Sequence, residues 1–115
     1  THGTDVACGR EDLELGPMSQ LSLGCFIDLS DRITLGRDVV VAGARTQFWT
    51  HGFDHRRQRS TGQIAIADRV FIGSASVVVQ DVQVCSDVVV AAGSVVHRSI
   101  TEPGLYASGQ LRRIR

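Results

Sequence analysis

The chain of 115 residues contains no lysine: all 12 of its basic residues are arginine. Chemistry that needs a side-chain amine, such as Schiff-base formation, is thereby excluded. Proline occurs only at Pro17 and Pro103, and neither Asn-Gly nor Asp-Gly occurs, so the common two-residue hairpin turns are not written into the sequence. No apolar run approaches the ~18 residues of a membrane-spanning helix. No charged, then apolar, then small-residue stretch reads as a secretory leader. Basic and acidic residues balance at 12 each, a formal net charge of zero, which removes the electrostatic footing for nucleic acid or a membrane surface as partner. The three cysteines (Cys8, Cys25 and Cys85) form no CxxC, and their odd number points to free packing thiols in a reducing, cytoplasmic setting. GxSxG, P-loop, GxGxxG and HExxH motifs are all absent.

What is present is a beat of six. Stacked in sixes, the chain shows an aliphatic column at Leu23, Leu29, Leu35 and Val41, and again at Ile66, Ile72, Val78, Val84, Val90 and Val96. Small residues mostly follow the column. A second set stands four positions on, at Ile27, Ile33, Val39, Val70, Ser76, Val82, Val88 and Ser94. A helix repeats at 3.6, and an ordinary strand alternates for a few residues before a turn. A sustained hexad instead fits short strands joined by corners, each stacked on its counterpart in the next coil. Three hexads make an 18-residue coil of triangular section, with the aliphatic residue inside and a small residue where the backbone turns. The length is that of one domain, 1–115. Residues 1–20 carry a weaker beat, at Leu13 and Leu15, and read as an incomplete first coil; 21–98 form the prism, and 99–115, broken by Pro103–Gly104, form a C-terminal cap.

The column fails once. Val41 and Ile66 are 25 residues apart, which reads as one 18-residue coil plus seven. The excess falls at about 51–62, a polar, Gly-bounded stretch that begins within FWTHGFDH (48–55). Those eight residues hold the only Trp, two of the four His and two of the four Phe. A corner extrudes a loop without disturbing the stacked strands, and loops on rigid scaffolds are where function concentrates. Imidazole is the side chain best suited to take a proton near neutral pH. His51 and His55 are therefore the candidate catalytic residues, whereas His97, on the exit from the last hexad, reads as surface or packing and His2 carries no signal.

ITLGRDVVVAGA (33–44) and RVFIGSASVVVQDVQVCSDVVVAAGSVV (69–96) resemble the left-handed β-helix of the hexapeptide-repeat acyltransferases, over roughly residues 21–98. The left-handed turn comes from that resemblance, since the ordinary crossover rule favours the right-handed one. In sugar O-acetyltransferases of this fold, a Thr-containing strand end followed by His opens the extruded loop, and that His is the general base. The resemblance thus places His51 as the base ahead of His55, with Trp49 and Asp54 on the acceptor side and Asp54 available to orient an imidazole. It further implies acetyl-CoA as acyl donor, lying in a groove between neighbouring prisms. The pantetheine arm would be held by corners at Ser74 and Ala92, one coil apart in IGSAS and VAAGS. The tail YASGQLRRI matches the family's ending at Ser108, Gly109 and Arg113, with Leu111 where Pro is usual; Arg112 and Arg113 are suited to the phosphates of CoA. A homotrimer is implied, with Phe48 and Trp49 at or near the subunit contact.

The activity so implied is acetyl transfer from acetyl-CoA to a hydroxyl of a sugar or glycan precursor. An amino-sugar N-acetyltransferase is a near variant. A γ-carbonic-anhydrase-like zinc enzyme shares the prism, but its histidine spacing differs from that of His51, His55 and His97, so no metal ligand is assigned. A non-catalytic scaffold has no reason to extrude FWTHGFDH.

Overall fold

A computed structural model of the chain describes residues 13–108 and 112–115. His2, Cys8 and the rest of residues 1–12, with Gly109 and Leu111 of the tail motif, lie outside the described residues. No helix occurs among the described residues, and none is therefore long and apolar enough to cross a membrane.

The strands form the three faces of a prism. The first face stacks β1 (Leu13–Leu15), β4 (Ile33–Leu35), β9 (Ile64–Ile66) and β12 (Val82–Val84). The second stacks β2 (Gln20–Leu21), β5 (Val40–Val41), β10 (Phe71–Ile72), β13 (Val88–Val90) and β15 (Gly104–Ala107). The third stacks β3 (Phe26–Ile27), β6 (Gln47–Phe48), β11 (Val77–Val78) and β14 (Val95–Val96). All these pairings are parallel, and successive strands lie on successive faces, giving a left-handed parallel β-helix of about five turns. β16 (Arg112–Arg113) closes the second face antiparallel to β15, ending the solenoid. An antiparallel hairpin of β7 (His51–Phe53) and β8 (Arg59–Thr61) stands out from the prism.

The hexad beat is a consequence of this stacking. Column residues Leu35, Val41, Ile66, Ile72, Val78, Val84, Val90 and Val96 are buried, as is the second set from Ile27 to Ser94. Leu23 departs from expectation: it is 71% exposed. The first coil keeps a different register, Leu15, Leu21, Ile27, set by the pairing of Leu15 with Leu35, Leu21 with Val41 and Ile27 with Phe48. Eight residues, not six, then separate Ile27 from Leu35, and Leu29 fills the prism at that widened corner. The expected excess of seven also needs correction. Phe48 occupies the column position above Ile27, so 18 residues run from Phe48 to Ile66 where six would serve; the extruded piece is 12 residues and replaces no coil. Phe48 itself is wholly buried inside the prism, so it is core and cannot lie at a subunit contact.

Corners are made by residues in left-handed backbone conformation. Met18, Asp38, Arg69 and Asp87, with φ of 63°, 56°, 55° and 64°, stand between the first and second faces. Non-glycine residues in this region cost roughly 1–2 kcal/mol each, which a hydrogen-bonded corner offsets. Arg69 and Asp87 add an exposed ion pair there (Nε–Oδ1 2.8 Å). Gly43 (φ 69°) has a second constraint, because a Cβ at that position would run into the side chain of Ser74 one coil above. Beside this corner Cys25, Thr46, Ser76 and Ser94 lie buried in successive coils, and their polar atoms bond to corner carbonyls (Thr46 Oγ1 to Ala42 O, 2.9 Å; Ser94 Oγ to Ala91 O, 2.6 Å). These bonds spare buried hydroxyls the cost of lying unpaired.

Candidate active site

The irregular corner below and the extruded hairpin above meet at one place. At the exit of β3, Ile27 points into the prism and Asp28 follows it, buried. At the exit of β6, Phe48 fills the core, Trp49 points out, and buried Thr50 precedes His51. The extra residues at the first of these corners let Asp28 turn up toward the second coil. Its Oδ2 lies 2.5 Å from His51 Nδ1.

The Asp28 carboxylate is completely engaged. Oδ2 also accepts from the Thr50 backbone N–H (3.0 Å), and Oδ1 accepts from the Ser30 hydroxyl (2.8 Å). Thr50 Oγ1 donates to the Asp28 carbonyl (2.7 Å) and accepts from the Asp31 N–H (3.0 Å), tying the two corners together. Burial by itself would push the Asp28 carboxyl up, but the bonds from His51, Ser30 and Thr50 outweigh it and hold the group below the usual carboxylate range. An ionised carboxylate can only accept, so His51 must carry a proton on Nδ1. In the neutral ring the lone pair then falls on Nε2, and the imidazole is about one-quarter exposed. This arrangement gives a proton acceptor of fixed tautomer and orientation.

Aromatics bracket the ring. Trp49 meets the His51 ring edge-on (centroids 5.7 Å) and packs on Phe26 (4.6 Å), with its Nε1–H donated to Gln47 Oε1 (2.7 Å). Phe53, 65% exposed, meets His51 from the other side (6.0 Å, T-shaped). In the hairpin, His51 pairs with Thr61 and Phe53 with Arg59, so these four side chains share one face. Gly52 and Ser60 occupy the opposite face, where the Gln80 amide donates to Ser60 Oγ (3.0 Å) and underpins the hairpin from the next coil.

The residues singled out in the sequence are not all brought together. His51 and Trp49 stand together at the Asp28 corner. His55 lies exposed in the turn between β7 and β8. In that turn Asp54 Oδ1 accepts the backbone N–H of Arg56 (2.8 Å) and Gln58 (3.0 Å), so its carboxylate shapes the turn, while the group on the imidazole is Asp28. Ser74 and Ala92 stack on the corner between the second and third faces, where the Gly93 N–H meets the Ser74 carbonyl (2.8 Å) and Ser108 Oγ meets the Gly93 carbonyl (3.3 Å). Arg113 pairs with Glu102 (3.6 Å) at the start of β15, the other end of the second face from that corner. Of Arg112 only the backbone register opposite Ala107 is described. His97 is exposed just past β14, and among the described residues no three His, Cys, Asp or Glu side chains converge as a metal site would require.

Asp28 is the residue that sequence reasoning missed. Its signal was the eight-residue step from Ile27 to Leu35, visible only once the first coil is set in the register of Leu15 and Leu21.

The fold is similar to that of hexapeptide-repeat acetyltransferases of known structure. A hexapeptide-repeat-containing acetyltransferase from Vibrio cholerae has a TM-score of 0.80 at 26% identity, over 99% of this chain and 70% of that one. The Vibrio cholerae protein complexed with acetyl coenzyme A gives 0.80 at 27% identity, with the same coverage. A galactoside acetyltransferase in complex with coenzyme A gives 0.88 at 22% identity, over 97% of this chain and 58% of that one, a likeness of fold. The chain thus spans little more than half the length of the galactoside enzyme. No family model and no curated protein sequence matches the chain.

Proposed function

We propose that the protein transfers an acetyl group from acetyl-CoA to a hydroxyl of a sugar or glycan precursor, with His51 as general base. The observation that carries this reading is the ionised, buried Asp28 holding Nδ1 of His51, which leaves Nε2 ready to accept a proton. The hydroxyl oxygen attacks the thioester carbonyl carbon while His51 Nε2 takes its proton. The tetrahedral oxyanion then collapses, the C–S bond breaks, and the imidazolium returns the proton to the CoA sulfur. No protein nucleophile is needed. Asp28 stabilises the imidazolium between the two transfers, as a carboxylate beside a catalytic histidine does.

Acetyl-CoA as donor is supported by the Vibrio cholerae relative that holds it. The pantetheine is assigned to the Ser74–Ala92 corner, with a backbone N–H there as oxyanion donor and Arg113 near the CoA phosphates. Trp49 and Asp54 are assigned to the acceptor side, and His55 to a secondary role there. The Ser74–Ala92 corner and the His51 corner flank the third face of one chain, so a groove joining them is completed by a neighbouring prism. A homotrimer provides such a groove three times with closed symmetry.

The test is acetyl transfer with purified protein, acetyl-CoA and a panel of sugars, with free CoA as readout. His51→Ala should lower kcat by ~10²–10⁴, the range for one positioned base, with little change in acetyl-CoA KM. Full activity in that variant refutes the assignment.

A further inference from the structure

The hairpin beside His51 is a basic segment in a chain that is balanced as a whole. Residues 51–62 contain Arg56, Arg57 and Arg59 against a single acid, Asp54, in a protein of zero formal charge. Asp54 forms no ion pair with them, its Oδ1 accepting backbone N–H groups of its own turn, and one acid against three arginines leaves the segment net positive. Among the described residues, no carboxylate pairs with any of the three guanidiniums. Elsewhere Arg32 pairs with Glu14, Arg69 with Asp87 and Arg113 with Glu102.

Arg59 is also placed. It stands on the hairpin face that carries His51 and Phe53, and its Nη2 donates to Ser30 Oγ (2.8 Å). Ser30 Oγ is in turn 3.4 Å from His51 Nδ1, so guanidinium and imidazole lie within about 6 Å of each other. That bond uses one of the five N–H donors of the guanidinium and orients the rest. The Asp28 carboxylate does not need Arg59, since His51, Thr50 and Ser30 already satisfy it. An oriented guanidinium with spare donors suits a planar carboxylate or a phosphate, which it binds through two parallel bonds. The exposed ring of Phe53, across the hairpin from Arg59 and against the His51 ring, supplies an apolar platform for the body of the same ligand.

Resting on the acetyl-transfer reading above, we propose that the acceptor is an acidic sugar unit. Its anionic group, a carboxylate or a phosphate, is seated on Arg59, which places a hydroxyl of that unit at His51 Nε2. Arg56 and Arg57 in the turn raise the local anion concentration without fixing the ligand. Arg59 is therefore a specificity-determining residue, and a neutral sugar should be a poor acceptor.

The experiment uses matched acceptors: methyl glucuronide against methyl glucoside for the carboxylate, and glucose 6-phosphate against glucose for the phosphate. The wild type should show at least ~10-fold higher kcat/KM for the charged member of one pair, and which pair responds identifies the anion. That preference should weaken as salt is added, because exposed charges are screened. Arg59→Gln, checked for an unchanged melting transition, should raise the KM of the charged acceptor ~10-fold or more and erase the preference. Its KM for acetyl-CoA should stay within about twofold. Equal kcat/KM within both pairs overturns the proposal, as does a preference that survives Arg59→Gln. A rise in the acetyl-CoA KM in place of the acceptor KM also overturns it, by assigning the guanidinium to the donor. No transfer to any of the four acceptors overturns it too. In that case acetyl-CoA hydrolysis that His51→Ala abolishes leaves the acetyl-transfer reading standing, and hydrolysis that His51→Ala leaves unchanged removes both.

Discussion

Asp28→Asn changes the site little in shape and much in chemistry, since one carboxylate oxygen becomes an NH2 of similar size. In the wild type the carboxylate accepts from His51 Nδ1, the Thr50 N–H and the Ser30 hydroxyl. An asparagine carbonyl can keep one of the two sides. If it keeps Thr50 N–H, its NH2 turns toward Ser30; if it keeps Ser30, its NH2 faces His51 and Thr50. In the second arrangement Nδ1 must accept, the imidazole proton moves to Nε2, and the base is disabled. In the first, the imidazolium formed in the reaction loses its counter-charge. A hydrogen bond to a charged partner contributes about 1.5–3 kcal/mol, which at ~1.4 kcal/mol per decade is roughly 10- to 150-fold in rate. We therefore expect kcat to fall by about 10²-fold, with acetyl-CoA KM within about twofold, in a steady-state assay of CoA release. Asp28→Asn protein that is folded and keeps more than half of the wild-type kcat would refute the reasoning.

Further outcomes follow from the same contacts. The Asp28 carboxyl is held below its ordinary value in the folded chain, so its contribution to stability is complete above about pH 4 and is lost as pH falls through the folded value. The denaturation-midpoint gap between wild type and Asp28→Asn should accordingly close on acidification below pH ~4, and a gap that widens there contradicts the assignment. Gly43→Ala combines a left-handed φ of 69° with a collision against Ser74, and should cost about 2–3 kcal/mol in urea unfolding; a neutral result would put the corner elsewhere. Ile72→Asp, which buries an unpaired carboxylate in the middle of the prism, should give no soluble, cooperatively folded protein. Light scattering should report three times the 12.4 kDa chain mass, and a monomer at working concentration would exclude a groove between prisms.

The prism was legible because its signal is a period. Every inward residue from Leu35 to Val96 must be apolar or small, whatever the face, and no other fold asks for that at steps of six. The first coil was misread because Leu23 and Leu29 keep the beat by coincidence while the pairing of Leu15 with Leu35 keeps the true register. Phe48 was misread for a related reason. An aromatic at the break in the aliphatic column reads as a subunit-contact residue, but above Ile27 it simply fills the prism. His51 could be found since extrusion breaks the period. Its partner could not, because Asp28 comes from the coil below, 23 residues away, and Asp54 in the same loop is the nearer acid in sequence. Contacts between coils depend on how many residues each corner holds, and a misjudged corner moves them all.

The most direct measurement is acetyl transfer from labelled acetyl-CoA, in a single turnover, by wild type, His51→Ala, His55→Ala and the double variant. His51, held by Asp28, should account for the chemistry: its loss should slow transfer by ~10²–10⁴, while loss of His55, exposed in the hairpin turn, should act mainly on acceptor KM. Full transfer by the double variant would contradict the account.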